Sequence, residues 1–305
     1  LPDSGGFRVD PYRTHFAADY VSANGFFAGN VGVAAQSALQ FSDLLGDQLI
    51  IVGANIYGSI SDSDLLFRYV NLRRRLNWGV SAYQYRNDYY IFASQRDQEL
   101  VSQVYRGARL ALLRPFSRFR RVEWSLDVLA VSEDVVRQSN ASGVYRRLQD
   151  KRTRLYLVPG AALVSDNTVF GPTGPIAGGR SRLSAEIALG DLAYQTWILD
   201  ARRYVNMRHR YAFAGRIIAA TSIGEEPQVF SIGGPYTLRG WPYGSLQGTK
   251  LGVASVELRF PLIDYLRIGF PLPMALGGVR GAFFFDAGAA WQNTGAFQAV
   301  RVRNG

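Results

Sequence analysis

The chain has 305 residues, 48% of them hydrophobic and 19% charged, with no cysteine and only two histidines. Such a composition describes a folded protein of one large or two small domains, and it excludes a disulfide framework, a zinc-finger cluster and a thiol nucleophile. The formal charge is +10, and because Lys151 and Lys250 are the only lysines, 32 of the 34 basic residues are arginine. These arginines stand scattered through apolar stretches, with Arg73-Arg74-Arg75 the only run of three; a nucleic-acid footprint is a concentrated patch, so no nucleic-acid partner is expected.

No stretch approaches the roughly 18 apolar residues of a spanning helix. The opening Leu1-Pro2-Asp3-Ser4-Gly5-Gly6 lacks the basic segment and apolar core of a signal peptide, so the chain is read as either not exported or an internal piece of something longer. Period-two alternation is sustained where helical periodicity is nearly absent. In chain order it predicts thirteen strands, at 12–22, 28–41, 48–60, 64–73, 76–86, 100–112, 118–132, 151–164, 180–190, 193–205, 207–221, 250–262 and 278–291. In 118–132, Arg121, Glu123, Ser125 and Asp127 alternate with Val122, Trp124, Leu126 and Val128; 180–190 sets Arg182, Ser184 and Glu186 against Leu183, Ala185 and Ile187. In 250–262, Ser255, Glu257 and Arg259 alternate with Ala254, Val256 and Leu258. Tight turns are expected at Asn24-Gly25 and Gly190-Asp191, and long polar connections at 133–150 and 222–249.

A soluble sandwich would alternate too, but these strands are longer than the usual five or six residues. They match the 9–11 tilted residues that cross a bilayer, with some overhang. The expected fold is therefore an all-β, transmembrane, antiparallel up-and-down barrel, with the apolar parity toward lipid and the polar parity lining a wet lumen. Arginines facing carboxylates across neighbouring strands explain the arginine excess, since guanidinium pairs bidentately with carboxylate. Tyr12, Tyr20, Trp78, Tyr204 and Trp291, near strand ends, suit interfacial girdles. Barrels of this kind have even strand numbers, and the chain stops at Arg301-Val302-Arg303-Asn304-Gly305 without a strand-like end, so a missing C-terminus is expected. Strands 12–22 and 278–291 should each keep an unpaired edge.

The most informative segment is Phe230-Ser231-Ile232-Gly233-Gly234-Pro235-Tyr236-Thr237-Leu238-Arg239-Gly240-Trp241, within the 222–249 connection. Gly233, Gly234 and Gly240 let a long loop fold back tightly and carry one arginine at its tip. Downstream, Glu257 lies on the charged parity of its strand, and Phe284, Asp286 and Gly288 share one face of theirs, presenting a ring, a carboxylate and a gap. Arg239 is then either solvated at the surface or drawn into the lumen by Glu257 and Asp286.

At these residues the sequence resembles the Omp85 superfamily of outer-membrane barrels, which includes BamA, TamA and surface antigen D15. The tip Leu238-Arg239-Gly240-Trp241 is similar to the family's V-R-G-F/Y motif on the sixth extracellular loop, and Phe284-Phe285-Asp286-Ala287-Gly288 to its F-x-D-x-G strand. Asp166-Asn167, Phe170-Gly171-Pro172-Thr173-Gly174 and Gly179-Arg180 resemble a periplasmic turn of that family. Pro11-Tyr12-Arg13 and Phe41-Ser42-Asp43-Leu44-Leu45-Gly46-Asp47 look like the barrel of a TolB-propeller-linked member. Two features of the family are missing from this sequence: no POTRA repeats precede the first strand, and no terminal strand with an aromatic end closes the barrel.

The resemblance implies about thirteen of sixteen strands, a lead-in over 1–10, a barrel domain over 11–305, and a loop that docks inward onto Glu257, Phe284, Asp286 and Gly288. Ordering a loop costs roughly 1–2 kcal/mol per fixed residue, more than one ion pair offsets, so Tyr236 and Trp241 are expected to pack against residues such as Phe284. The resemblance also implies residence in the bacterial outer membrane and assistance to protein insertion or translocation. The partners would be the lipid bilayer, unfolded or translocating client proteins, and a periplasmic domain or accessory protein. A passive pore, or an anchor for a periplasmic propeller or peptidase, is the alternative. No catalytic residue, cofactor or metal is called for: His15 and His209 are far apart in sequence, no hydrolytic spacing stands out, and Gly277-Gly278 lacks the Lys-Ser/Thr of a phosphate loop.

Overall fold

The structure, a computed structural model, describes residues 12–299 apart from 29–31, 58, 93–96, 140–144, 172, 192, 208–209, 226, 272 and 293–297. The lead-in at 1–10, Pro172, His209 and the end at 301–305 lie outside the described residues. Period-two alternation becomes strand after strand: β1 (Phe16–Ala28), β2 (Gly32–Asp43), β3 (Gln48–Tyr57), β4 (Ser59–Asn71), β5 (Asn77–Phe92), β6 (Asp97–Pro115), β7 (Arg120–Ser139) and β8 (Tyr145–Asp166). Then follow β9 (Val169–Gly171), β10 (Gly174–Gly190), β11 (Tyr194–Asn206), β12 (Ala212–Gly224), β13 (Phe230–Ile232), β14 (Leu246–Gly248), β15 (Lys250–Ile268), β16 (Met274–Trp291) and β17 (Gln298–Ala299). Thirteen of these are long, one for each predicted strand; β9, β13, β14 and β17 are additions of two or three residues.

The strands pair in chain order from β1 to β17, except that β9 pairs only with β10, and β13 and β14 form a separate hairpin. Each mapped ladder is antiparallel, as up-and-down connectivity requires. Among the described residues no helix is long and apolar enough to cross a membrane. Among the described residues β1 pairs only with β2. The edge of β16, expected to be free, is instead occupied over two residues, Ala289 opposite Ala299 and Ala290 opposite Gln298.

The chain divides into two compact units, residues 1–110 with 130–153, and 111–129 with 154–305. In the first, the expected turn at Asn24-Gly25 is absent: both residues lie inside β1, opposite Gln36 and Ala35. A turn there would break a ladder that continues to Ala28 opposite Gly32, so the Asn-Gly pair is overridden by tertiary pairing. The link from β1 to β2 falls at 29–31, outside the described residues; the turn at 44–47 joins β2 to β3, and in it Gly46 donates to Asp43 O at 2.9 Å. The Asp43 carboxylate accepts the Gln48 amide at 3.0 Å and the Tyr12 hydroxyl at 2.8 Å, so the two segments carrying the propeller-linked likeness meet. The connection expected at 133–150 is also corrected, since β7 runs to Ser139 and β8 restarts at Tyr145.

In the second unit the two faces of the sheet separate by chemistry. Trp124, Leu126, Val128, Leu183, Ile187, Val256 and Leu258 are all exposed on the face opposite Glu123, Arg182, Glu186 and Glu257. On the polar face Glu123 is shared by Arg121 Nε at 2.6 Å and by Arg182 Nη1 from another strand. Tyr204, expected in an interfacial girdle, is 9% exposed and sits on the polar face, where Arg259 Cζ lies 5.8 Å from its ring. The turn between β8 and β10 is tied by Asn167, whose amide donates to Gly179 O at 3.0 Å and whose Oδ1 accepts the Gly179 amide at 2.8 Å.

Candidate functional site

The 25-residue connection from β12 to β15 leaves the sheet at Gly224 and returns at Lys250. Its base is the hairpin of β13 and β14, Phe230 opposite Gly248 and Ile232 opposite Leu246. Its tip closes tightly: Gly234 donates to Trp241 O at 2.9 Å, and the Thr237 hydroxyl is 2.9 Å from both the Gly233 amide and the Gly233 carbonyl. Gly233, Gly234 and Gly240 have φ of 127°, 82° and 84°, a region that side chains with a β-carbon rarely occupy. That is the physical reason for the glycines around the Leu-Arg pair.

Arg239 leaves this tip and meets two strands. Its Nε and Nη2 donate to Asp286 Oδ2 and Oδ1, each at 2.7 Å, and its own backbone amide donates to Oδ2 at 3.1 Å. Its Nη1 donates to Glu257 Oε1. Ser255, not Glu257, stands opposite Asp286 in the β15–β16 ladder, while Glu257 stands opposite Phe284. The two carboxylates thus sit diagonally on one face, at the reach of one planar guanidinium. Phe284 closes the third side, its ring centroid 3.7 Å from Arg239 Cζ, a cation–π stack. Asp286 is only 5% exposed, so its charge is compensated almost entirely by one residue of the loop. Glu257 is shared with Arg259, whose Nε and Nη2 reach Oε2 at 2.8 and 2.7 Å and whose Nη1 donates to Pro175 O at 3.1 Å.

The neighbouring Leu238 drives apolar surface the same way. It is 2% exposed and lies in a buried cluster with Ala220, Ile232, Leu251, Val253 and Ala290. Gly288 makes this possible: a β-carbon there would lie 3.1 Å from Leu238 Cδ2 and 3.2 Å from Val253 Cγ2. Sequence reasoning placed Tyr236 and Trp241 against the wall instead, and the structure corrects this, with Tyr236 81% and Trp241 37% exposed. Ile232, Leu251, Val253 and Ala290 were not singled out. The signal available for Leu251 and Val253 was that they continue the parity of Glu257 with apolar residues, a break in the polar face. A burial of this kind contributes about 1.5–3 kcal/mol per large aliphatic side chain, the same range as a charge-assisted hydrogen bond.

Beside the tip lies a pocket of about 190 Å³, bounded among others by Arg202, Arg216, Arg239, Glu257, Arg259 and Asp286. Among the described residues no group of three or more His, Cys, Asp or Glu could hold a metal ion.

Residues 51–303 match the Omp85 superfamily domain. Among solved structures the chain is similar to BamA from Haemophilus ducreyi lacking POTRA domains 1–3, with 16% identity and a TM-score of 0.66. That likeness covers 92% of this chain and 58% of the other, so the chain spans a little over half the length of that structure. No curated protein sequence compared with it matches. The fold is that of a transmembrane antiparallel β-barrel, and the matching family places it in the bacterial outer membrane. The chain belongs to the Omp85 superfamily.

Proposed function

We propose that this domain assists the insertion or translocation of proteins at the outer membrane, with its long loop as a docked brace. The observation that supports this reading is the clasp of Arg239 on Asp286 and Glu257, which ties a loop departing from β12 back onto β15 and β16. A braced wall gives the barrel a fixed part against which another part of the sheet can exchange strand partners. A client strand would then add to an exposed edge through main-chain hydrogen bonds. The residues of the loop bind and orient; none is asked to do chemistry. The partners of the reading are lipid, an unfolded or translocating client, and a periplasmic domain or accessory protein.

The test is reconstitution of the full-length protein in phospholipid vesicles, following the folding of an unfolded outer-membrane β-barrel client by its resistance to heat-induced unfolding. Acceleration over empty vesicles, reduced in Arg239→Ala, is expected. No acceleration, together with steady flux of small solutes, would replace this reading with a passive pore.

A further inference from the structure

The tip of the loop is held at a second place, on the strand from which it departs. Arg216 on β12 donates from Nη1 to the backbone carbonyl of Tyr236 at 2.8 Å. Its Nε and Nη2 donate to Asp200 Oδ1 and Oδ2 at 3.2 and 2.8 Å. Asp200 also accepts Nε and Nη2 of Arg202 at 3.1 and 2.7 Å. Arg202 and Arg216 stand directly opposite one another in the β11–β12 ladder, where like charges repel. One carboxylate between two guanidiniums offsets that repulsion. It also engages one full edge of Arg216, and a planar guanidinium gripped along one edge has its remaining nitrogen aimed in a fixed direction.

We propose that Asp200 and Arg216 are positioning residues: an ion pair built to present one guanidinium N–H to the loop backbone at Tyr236, as a second clasp. It rests on the docked-loop reading above and extends it from one polar clasp to two. The Arg239 clasp holds the tip to β15 and β16; the Arg216 clasp, three residues earlier in the loop, holds it to β12 and through Asp200 to β11. Together with the buried Leu238, the second clasp stops the tip from pivoting about Arg239. The acceptor is a main-chain carbonyl and the Tyr236 side chain is 81% exposed, so this clasp senses the path of the loop and not the residue at position 236.

The test is timed trypsin digestion of the full-length protein in lipid vesicles, reading the fragment that ends at Arg239, with the thermal unfolding midpoint measured beside it. Protection in the wild type is expected, and Tyr236→Ala should keep the cleavage rate within about twofold. Arg216→Met and Asp200→Asn should each raise it about tenfold, the loss of one charge-assisted hydrogen bond. The exchange Asp200→Arg with Arg216→Asp separates positioning from mere stability. It keeps the charge composition and sets an aspartate opposite Arg202, so the midpoint should recover. Cleavage should stay fast, because aspartate cannot donate to a carbonyl. Wild-type protection in Arg216→Met, or recovered protection in the exchanged pair, would overturn the second clasp while leaving the Arg239 clasp standing. Wild-type cleavage after Arg239 as fast as in unfolded protein would overturn both.

Discussion

Asp286 takes three hydrogen bonds from a single residue while almost out of solvent, so the two partners should behave as one unit. Arg239→Ala strands a buried carboxylate, at a cost of about 3–5 kcal/mol, and Asp286→Asn leaves the guanidinium with half its charge compensation. In a double-mutant cycle by urea unfolding in lipid vesicles, the double variant should lose little beyond the worse single, a coupling of about 1–3 kcal/mol. Additive losses would mean that the pair does not hold the loop. Gly288 is the second pressure point: Gly288→Val should push Leu238 out of its cluster and cost about 1–3 kcal/mol through overpacking, with Arg239 left intact. Much of this was legible in parity, because Glu257 and Asp286 each fall on the charged or ring-bearing face of an alternating strand. What was not legible was the anchor. Alternation says nothing about a loop, so the two aromatics at the tip looked better suited to burial than Ile232 and Leu238, which the fold chose.

Among the elements, strand identity was legible and strand length was not. The alternating pattern of the sequence ends near 86 and 132, while β5 and β7 continue to Phe92 and Ser139. Backbone hydrogen bonds need no particular side chain, and this is why the ladder outruns its signature. The turn between β8 and β10 shows the reverse, a local signal that the structure uses. Asn167 caps it through Gly179, and Gly178, at φ 85°, packs so close to Asn167 O that a β-carbon cannot be seated. Asn167→Ala should lower stability by about 1 kcal/mol, read as a shift in the urea midpoint. Gly178→Ala should cost more, since strain and collision act together.

On the scale of the whole molecule, the arginine excess and the apolar exposure have one origin, a sheet with one face for lipid and one for water. The polar face resolves the charge by sharing: Glu123, Asp200 and Glu257 each accept two arginines. Residues 186 and 187 offer a direct test because they are neighbours on β10 with opposite fates. Glu186 stands opposite Thr196 on the polar face, and Ile187, 47% exposed, points the other way opposite Gln195. Ile187→Arg should cost about 2–4 kcal/mol if its level is the bilayer midplane, less toward either interface. Glu186→Arg, exposed on the watered face, should change stability by no more than about 1 kcal/mol. Both are read by urea unfolding in vesicles of one fixed lipid composition. The same pair measured in detergent micelles should show the asymmetry shrinking, because a micelle adapts around a lipid-facing charge. Equal costs at the two positions in vesicles would mean that this face does not meet lipid, and the assignment of the second unit to the membrane would fail with it.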